Sequence, residues 1–228
     1  MLLKASLPDL CSVLMIGSPG IGMLEFEVSL AKDYLDAGET VIFVTMDMLP
    51  ADLIALMKGF DINLDESLGK NLFIIDYHTS LLGSLEEKQS YPRNEVRSAG
   101  DIEGIMFNVS SIAHEQGKPV RIFFYTLSTL FLYNQANVVL KFFQISASRV
   151  RNEFGTAIFS IHDGVHDDKT VNHLMAIADG VIELRFDDEL NRMMRVRHMR
   201  GVPLANQWVP FEIRANGNGH AHPLLEWH

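Results

Sequence analysis

The feature that most limits the possible folds of this chain is a regular alternation of short apolar runs with longer amphipathic segments. The apolar runs are rich in β-branched residues and have the length of buried strands. The segments between them repeat apolar residues at helical spacing. Candidate strands cover 11–16, 40–46, 71–77, 120–126 and 156–162, candidate helices cover 24–37, 50–59, 101–116, 134–154 and 170–178, and 79–97 is a candidate exposed loop. This alternation predicts an α/β fold with a mainly parallel central sheet flanked by helices.

The C-terminal part departs from that alternation. Two candidate strands, 179–186 and 191–199, are separated by a short acidic turn, and a third covers 208–213. Strands joined so closely pair in antiparallel fashion, so we expect an antiparallel C-terminal edge on the sheet. No internal repeat or linker interrupts the chain, and we expect a single domain over 1–213 with a loosely ordered tail over 214–228.

Composition and charge argue against several functional classes. The 228 residues carry a formal net charge of −10, and a broad phosphate-binding surface needs clustered Lys and Arg, so we do not expect a nucleic-acid partner. Cys11 is the only cysteine, which excludes an intramolecular disulfide and a cysteine-based zinc site. No apolar run approaches the ~18 residues that cross a bilayer, and the N-terminus lacks a signal-peptide pattern. We therefore expect a cytoplasmic protein without membrane contact.

A glycine-containing loop lies between the first candidate strand and the first candidate helix. It reads Gly17, Ser18, Pro19, Gly20, Ile21, Gly22, Met23 and Leu24. A working phosphate loop reads G-x-x-x-x-G-K-[ST] in this position, and its lysine and hydroxyl residue hold the phosphates and the magnesium ion. The spaced glycines are present, but Met23 stands at the lysine position and Leu24 at the hydroxyl position. Neither side chain offers a charge or a metal ligand, so the loop is unsuited to tight ATP–magnesium binding.

Further segments resemble the RecA superfamily of P-loop ATPases, and most closely its KaiC-like branch. The second strand is followed by Asp47-Met48, where that family has two glutamates that position the attacking water. Near the end of the candidate strand 120–126, Tyr125 stands where the family has the Walker B aspartate that holds magnesium through water. A neutral phenol is a poor ligand for this ion, which prefers anionic oxygen.

The C-terminal strands carry the rest of the resemblance. Residues 178–185 read ADGVIELR and are similar to a characteristic strand of the family. Residues 195–203 read RVRHMRGVP and resemble its K-M-R-G-T segment, with His198 at the lysine position and Arg200 retained. The resemblance implies that these two positions reach the nucleotide of a neighbouring subunit across a ring interface. It covers about 14–213 and implies a RecA-like P-loop fold.

The replaced residues decide the functional expectation. Asp47, Met48 and Tyr125 stand at positions that are catalytic in the family but no longer carry the catalytic residues, and we call them relic positions. We therefore expect no catalytic residue, no metal and no cofactor. We expect a non-hydrolysing KaiC-like protein, or pseudo-ATPase, that acts as a regulatory module by binding a protein or peptide. We also expect it to form a homo-oligomer. The alternative is a weak ATP-binding or ATPase subunit of a homo- or hetero-oligomeric ring, which alone would need ATP and magnesium. Recombinase-like DNA binding is a third, less favoured class.

Several local alternatives stay open at this point. The side chains of Met23, Leu24 and Tyr125 either collapse inward and close the old site or line an apolar groove that receives a ligand. Asp47 either caps the turn after its strand or acts as a residual acid or base. A polar segment with two histidines and three aspartates, at 162–168, is an exposed loop or a metal site. Ser128 and Ser160 show no partners in the sequence that would make a hydrolase triad.

Overall fold

Ten strands form one mixed sheet at the centre of the computed structural model, which describes residues 7–82, 95–117, 119–203, 206–215 and 223–227. The strands are β1 (Cys11–Gly17), β2 (Thr40–Thr45), β3 (Leu72–Asp76), β4 (Val96–Ser98), β5 (Val120–Tyr125), β6 (Gly155–His162), β7 (Gly180–Phe186), β8 (Arg192–Met199), β9 (Val209–Ala215) and β10 (Pro223–Trp227). Their order across the sheet is β10-β9-β8-β7-β1-β6-β5-β2-β3-β4.

The parallel part of the sheet forms the buried centre. β1 pairs in parallel with both β6 and β7, and all seven of its residues are buried. β2 and β5, each buried along its whole length, pair with each other in parallel. Strands covered on both faces need a continuous apolar sequence, which explains why their runs lack alternation. The carboxyl ends of β1, β2, β5 and β6 consequently lie along one edge of the sheet.

The predicted antiparallel edge is confirmed. β7 pairs in antiparallel fashion with β8, β8 with β9, and β9 with β10. A register shift between Val181 and Ile182 interrupts the β7–β8 ladder. Because β8 runs opposite to β7, it begins near the carboxyl end of β1 and finishes near the amino end of that strand.

Helices cover both faces of the sheet, as predicted. They are α1 (Met23–Asp36), α2 (Pro50–Gly59), α3 (Leu64–Ser67), α4 (His78–Leu82), α5 (Ile102–Gln116), α6 (Leu127–Tyr133), α7 (Ala136–Arg149) and α8 (Asp168–Ile177). One apolar core lies between the sheet and α1, α2 and α3, and the other between the sheet and α5 to α8. Among the helices that the structure describes, none is both long and apolar enough to cross a membrane.

The helical stretch predicted over 134–154 differs in detail from the structure. The helix begins at Ala136, and its last turn, Val150–Phe154, is π-helical. A separate helix, α6, precedes it and was not predicted. Its N-cap is Thr126, whose hydroxyl accepts a hydrogen bond from the backbone N–H of Thr129. A capped helix of seven residues is too short to show an apolar periodicity.

Two segments expected to be irregular contain secondary structure. The segment 79–97 was expected to be an exposed loop, but its start belongs to α4 and its end, with Ser98, forms β4, which pairs in parallel with the free edge of β3. Residues 83–94 lie outside the described part. The tail from 214, expected to be loosely ordered, continues β9 to Ala215 and contributes β10 over Pro223–Trp227. Residues 216–222 and 228 lie outside the described part. Both corrections have one cause: an edge strand has unpaired backbone groups, and a short neighbouring segment satisfies them by pairing.

Candidate functional site

A cleft of about 690 Å³ opens beside the glycine loop, at the carboxyl edge of the parallel strands. It is lined by Ser18, Gly20, Ile21, Gly22, Met23, Leu24, Glu25, Leu56, Tyr125, His162, Arg192 and Ile213. We call it the loop cleft. Its volume lies within the range of ordinary ligand pockets. Most of the sequence-predicted loop therefore lines one cavity together with the relic position Tyr125.

The glycines give the loop its shape. Gly20 and Gly22 have φ of 78° and 87°, in the left-handed region that side chains disfavour. Gly22 is also the N-cap of α1, and a Cβ on it would lie 2.1 Å from Cδ1 of Ile213. The loop backbone therefore adopts a conformation that needs glycine, and β9 packs directly on it.

The side chains that replace the lysine and hydroxyl residues turn inward. Met23 and Leu24 are 4% and 7% exposed. A Cβ on Gly17 would lie 2.8 Å from the sulfur of Met23, so this thioether packs directly under the loop. The sequence leaves two alternatives open for this side chain, inward packing that closes the old site or exposure along an apolar groove, and Met23 packs inward. The cleft beside it nevertheless remains open.

Tyr125 ends β5 and lies against His162, with ring centroids 6.4 Å apart. The residue is 8% exposed, and within the described chain no residue hydrogen bonds to its hydroxyl. Burial, followed by the nearby carboxyl groups of Glu27, Asp47 and Glu25, raises the pKa of this phenol above its ordinary value. The hydroxyl therefore stays neutral and available as a hydrogen-bond donor.

The Asp47-Met48 pair lies outside the cleft lining. Asp47 is exposed, and its Oδ1 accepts a hydrogen bond of 2.8 Å from the hydroxyl of Thr129 on α6. Its side chain is thus held by a neighbouring helix, and no backbone N–H of its own turn donates to it among the described residues, so the capping alternative is wrong. Met48 packs against the core on the α1 side, and its carbonyl oxygen accepts a hydrogen bond of 2.5 Å from the hydroxyl of Thr45.

A buried carboxyl group lies close to the cleft and was not identified from the sequence. Glu27 on α1 is fully buried; the Ser160 hydroxyl donates a hydrogen bond to its Oε1, and its Oε2 has no partner among the described residues. Burial raises the pKa of Glu27 from 4.5 to about 8, although the Ser160 hydrogen bond opposes the shift. A signal was available, because Glu27 shares a helix face with Met23 and Tyr34, both of which are buried.

The polar segment after β6 contributes caps and hydrogen bonds. Ser128 accepts a hydrogen bond of 2.9 Å from the backbone N–H of His162, and its oxygen lies 2.9 Å from Nε2 of His166. Burial, and then the neighbouring His162, lowers the pKa of His166. Asp167 caps α8 by accepting from the backbone N–H of Thr170. Nowhere in the described ranges do three His, Cys, Asp or Glu side chains converge as metal ligands.

The predicted interface residues lie at the opposite edge of the sheet. Arg200 follows β8, near the amino end of β1, and its Nη1 lies 2.6 Å from Oδ1 of Asp179. Asp179 is 3% exposed, pairs also with Arg151 at 2.8 Å, and accepts hydrogen bonds from Ser12. His198 is exposed. These positions cannot reach the loop cleft of their own chain.

Known proteins of one family are similar to this chain along almost its whole length. The sequence model of the family described as "ATPase: KaiC" matches residues 1–219. A UPF0273 protein of Thermotoga maritima is 27% identical over 226 residues, covering 95% of this chain and 89% of the relative. A UPF0273 protein of Methanopyrus kandleri is 26% identical over 224 residues, covering 94% and 85%.

A solved structure shows the same architecture. The crystal structure of a KaiC-like protein from the hyperthermophilic archaeon Pyrococcus horikoshii OT3 matches with a TM-score of 0.72 at 18% sequence identity, over 98% of this chain and 92% of that chain. At this identity the likeness shows the fold, which is the RecA-like α/β fold expected from the sequence. Since the family model spans almost the whole sequence, the chain belongs to the KaiC family of ATPases.

Proposed function

We propose that this chain is a non-hydrolysing member of the KaiC family that acts as a regulatory module by binding a polypeptide segment in the loop cleft. The observation that carries the proposal is the identity of three buried residues: Met23, Leu24 and Tyr125 stand where a nucleotide needs a lysine, a hydroxyl and an aspartate.

The charge of the cleft argues against a triphosphate. Arg192 is the single cationic side chain that the described residues contribute to the lining, and Glu25 brings a negative charge into the same space. The amides at the start of α1 add a stabilisation of ~0.3–1 kcal/mol in an exposed setting and up to ~2 in a partly buried one. Several phosphate charges would remain uncompensated, and magnesium would find no anionic Walker B ligand.

The shape and lining of the cleft favour a polypeptide. Leu24, Leu56 and Ile213 provide apolar surface, while loop amides and Arg192 provide hydrogen-bond donors at the same cavity. A peptide offers both kinds of group, because its side chains enter apolar pockets and its carbonyl oxygens accept hydrogen bonds.

Titration calorimetry with ATP and magnesium, together with a hydrolysis assay, separates this proposal from the alternative of a weak ATPase that works in a ring. We expect neither binding heat nor magnesium-dependent turnover. Turnover at the ~1 s⁻¹ of ordinary phosphoryl-transfer enzymes would overturn the non-hydrolysing assignment, provided that it is lost in Asp47→Asn. Equilibrium binding to a DNA oligonucleotide at physiological salt tests the third class, and we expect none.

A random peptide library displayed with free C-termini tests polypeptide binding. Leu56 on α2 lines the cleft. Leu56→Glu should weaken the binding of the selected peptides by at least about tenfold, because a charge replaces apolar contact surface. Ala55→Glu, one residue away on the same helix and exposed, is the matched control and should bind normally. A library that gives no peptide sensitive to Leu56→Glu would refute polypeptide binding in this cleft.

A further inference from the structure

We infer that the loop cleft receives the C-terminal residue of its polypeptide partner, and that Arg192, the Tyr125 hydroxyl and the free amides at the start of α1 hold the terminal carboxylate without a metal. This inference rests on the proposed polypeptide binding and assigns the chemical group that is recognised.

The first observation is a set of unpaired backbone donors. Within the described chain, no acceptor takes the N–H groups of Gly20, Gly22, Met23 and Leu24, and the N-cap of α1 has no side-chain hydrogen bond. Each of these residues lines the loop cleft. Consecutive amides at a helix N-terminus form a concave donor surface that favours an anionic oxygen.

The second observation is a guanidinium group beside these amides. The Nε of Arg192 donates a hydrogen bond of 3.0 Å to the carbonyl oxygen of Ile21, which fixes the side chain against the loop. Its two terminal nitrogen atoms have no acceptor among the residues that the structure describes. A guanidinium group held in this way offers a pair of donors whose geometry matches a carboxylate.

The third observation is Tyr125, which is more than nine-tenths buried and lines the same cleft. Its hydroxyl has no hydrogen-bond partner in the described residues. A hydroxyl that has no protein partner at the surface of a cleft is satisfied by water or by a ligand. The hydroxyl therefore supplies a third type of donor, at a position where the family's aspartate would hold magnesium and offer no donor.

The charges present select an anion with one charge. Against Arg192 and the helix N-terminus stand Glu25 in the lining and Asp47 close to Tyr125. Oε2 of Glu25 lies 3.5 Å from the Cβ position of Gly22, so this carboxylate already occupies part of the space at the start of α1. A terminal carboxylate that moves the Glu25 side chain aside brings one negative charge into the cleft, whereas a phosphate with two charges is repelled more strongly by Glu25 and Asp47.

The apolar part of the lining receives the last side chain. Leu24, Leu56 and Ile213 surround the cleft with aliphatic groups. An apolar C-terminal residue presents its carboxylate and its side chain from one α-carbon, so both features of the cleft are used together. A negative charge borne by an internal Asp or Glu would place a polar stem against the same aliphatic surface.

The test uses three probes in NMR titrations of the ¹⁵N-labelled chain: N-acetyl-leucine, N-acetyl-leucinamide and inorganic phosphate, all with EDTA present. We expect N-acetyl-leucine to shift the amide signals of Gly20, Gly22 and Met23 in saturable fashion, and the amide and phosphate to bind at least about tenfold more weakly. Arg192→Gln should weaken the binding of N-acetyl-leucine by about tenfold or more. Glu25→Gln should strengthen the binding of N-acetyl-leucine, because the competing carboxylate is removed.

Arg197→Gln is the matched control, since Arg197 lies on the same strand, pairs with Glu183 at 2.9 Å and does not line the cleft. It should bind N-acetyl-leucine normally. Equal binding of the acid and the amide, equal binding of phosphate, or an unchanged affinity in Arg192→Gln would each overturn the inference. The proposed function is retained after those results if the library peptides still lose affinity in Leu56→Glu. It is refuted independently if no library peptide loses affinity in that variant.

Discussion

Glu27 is the residue whose chemistry differs most from its surroundings. It lies on the face of α1 that packs against the sheet, among apolar neighbours such as Phe26 and Leu30. Ionising a carboxyl group there would place a charge away from water with only Ser160 as a partner, so the protonated form is favoured at neutral pH.

This burial predicts a pH dependence of stability. The unfolded chain releases the Glu27 proton above about pH 4.5, whereas the folded chain retains it up to about pH 8. Stability should therefore fall as pH rises between these values, by on the order of a few kcal/mol from this group. Glu27→Gln, which keeps the shape and the hydrogen bond, should flatten the dependence in urea unfolding between pH 5 and 8. The exposed Glu103→Gln is the control, and equal slopes for Glu27→Gln and the parent would contradict the prediction.

Asp179 predicts the opposite pH trend. Burial raises the pKa of its carboxyl group, but the Ser12 hydrogen bonds and the Arg151 ion pair outweigh burial, and the net shift is downward. Asp179→Asn should lower the free energy of unfolding by ~1–3 kcal/mol at pH 7, because a buried charge-assisted network loses its acceptor. The difference in the free energy of unfolding between Asp179→Asn and the parent should become smaller in acid, since the parent carboxylate becomes protonated as pH falls through its lowered pKa. Urea unfolding measures both effects; the exposed Asp163→Asn should show neither.

At the scale of elements, the contact between the glycine loop and β9 determines how the cleft is closed on one side. Ile213 packs on Gly22, and Arg192 at the start of β8 donates to the loop at Ile21. The antiparallel edge thus holds the loop in place, so the glycine loop is stabilised by strands that follow it by about 170 to 190 residues.

Gly22→Ala tests this contact. The left-handed φ and the clash with Ile213 should together lower the free energy of unfolding by ~2–4 kcal/mol. Gly20→Ala has a similar φ but no atom within 4 Å of its new Cβ, so it reports the backbone strain alone and should cost about 1 kcal/mol. Adding Ile213→Ala to Gly22→Ala should cost less than the sum of the single changes, because the clash is relieved. Additive thermal or urea-unfolding effects would show that the contact is unimportant.

The elements that the sequence predicts well are those whose signal is local. β1, β2 and β5 are continuous apolar runs, and α1 has a clear apolar face that ends near Gly38. The edge strands β4 and β10 were missed because three to five residues without alternation carry little pattern. The loop itself could be predicted from contiguous residues. Arg192, Leu56 and Ile213 could not, since only the folded sheet brings these distant positions to the loop.

At the scale of the whole molecule, two distinct edges of the sheet carry the predicted functional positions. The loop cleft lies at the carboxyl edge of the parallel strands, and His198 and Arg200 lie at the other. Contacts between unlike surfaces join copies head to tail, which closes into a ring when the rotation permits. The arrangement is compatible with the ring that the family resemblance implies, in which Arg200 of one copy would contact the loop region of the next.

We therefore expect self-association. Sedimentation velocity at high micromolar concentration should show species larger than a monomer, and Arg200→Glu should shift the distribution toward the monomer. Because Arg200 also pairs with Asp179, urea unfolding must accompany the measurement so that lost association is distinguished from lost stability. A parent chain that sediments only as a monomer over this range would refute the prediction.

The central place of β1 has a consequence for how the protein is made. β1 is the first strand along the described part of the chain, yet its two neighbours begin at residues 155 and 180, so Cys11 cannot pair with Thr156 until the later residue has been synthesised. At translation rates of ~5–20 residues per second, about 140 residues take roughly 7–30 seconds, during which an apolar strand has both edges unpaired. We therefore expect β1 to stay unpaired during synthesis for longer than the first strand of a protein that begins with a hairpin.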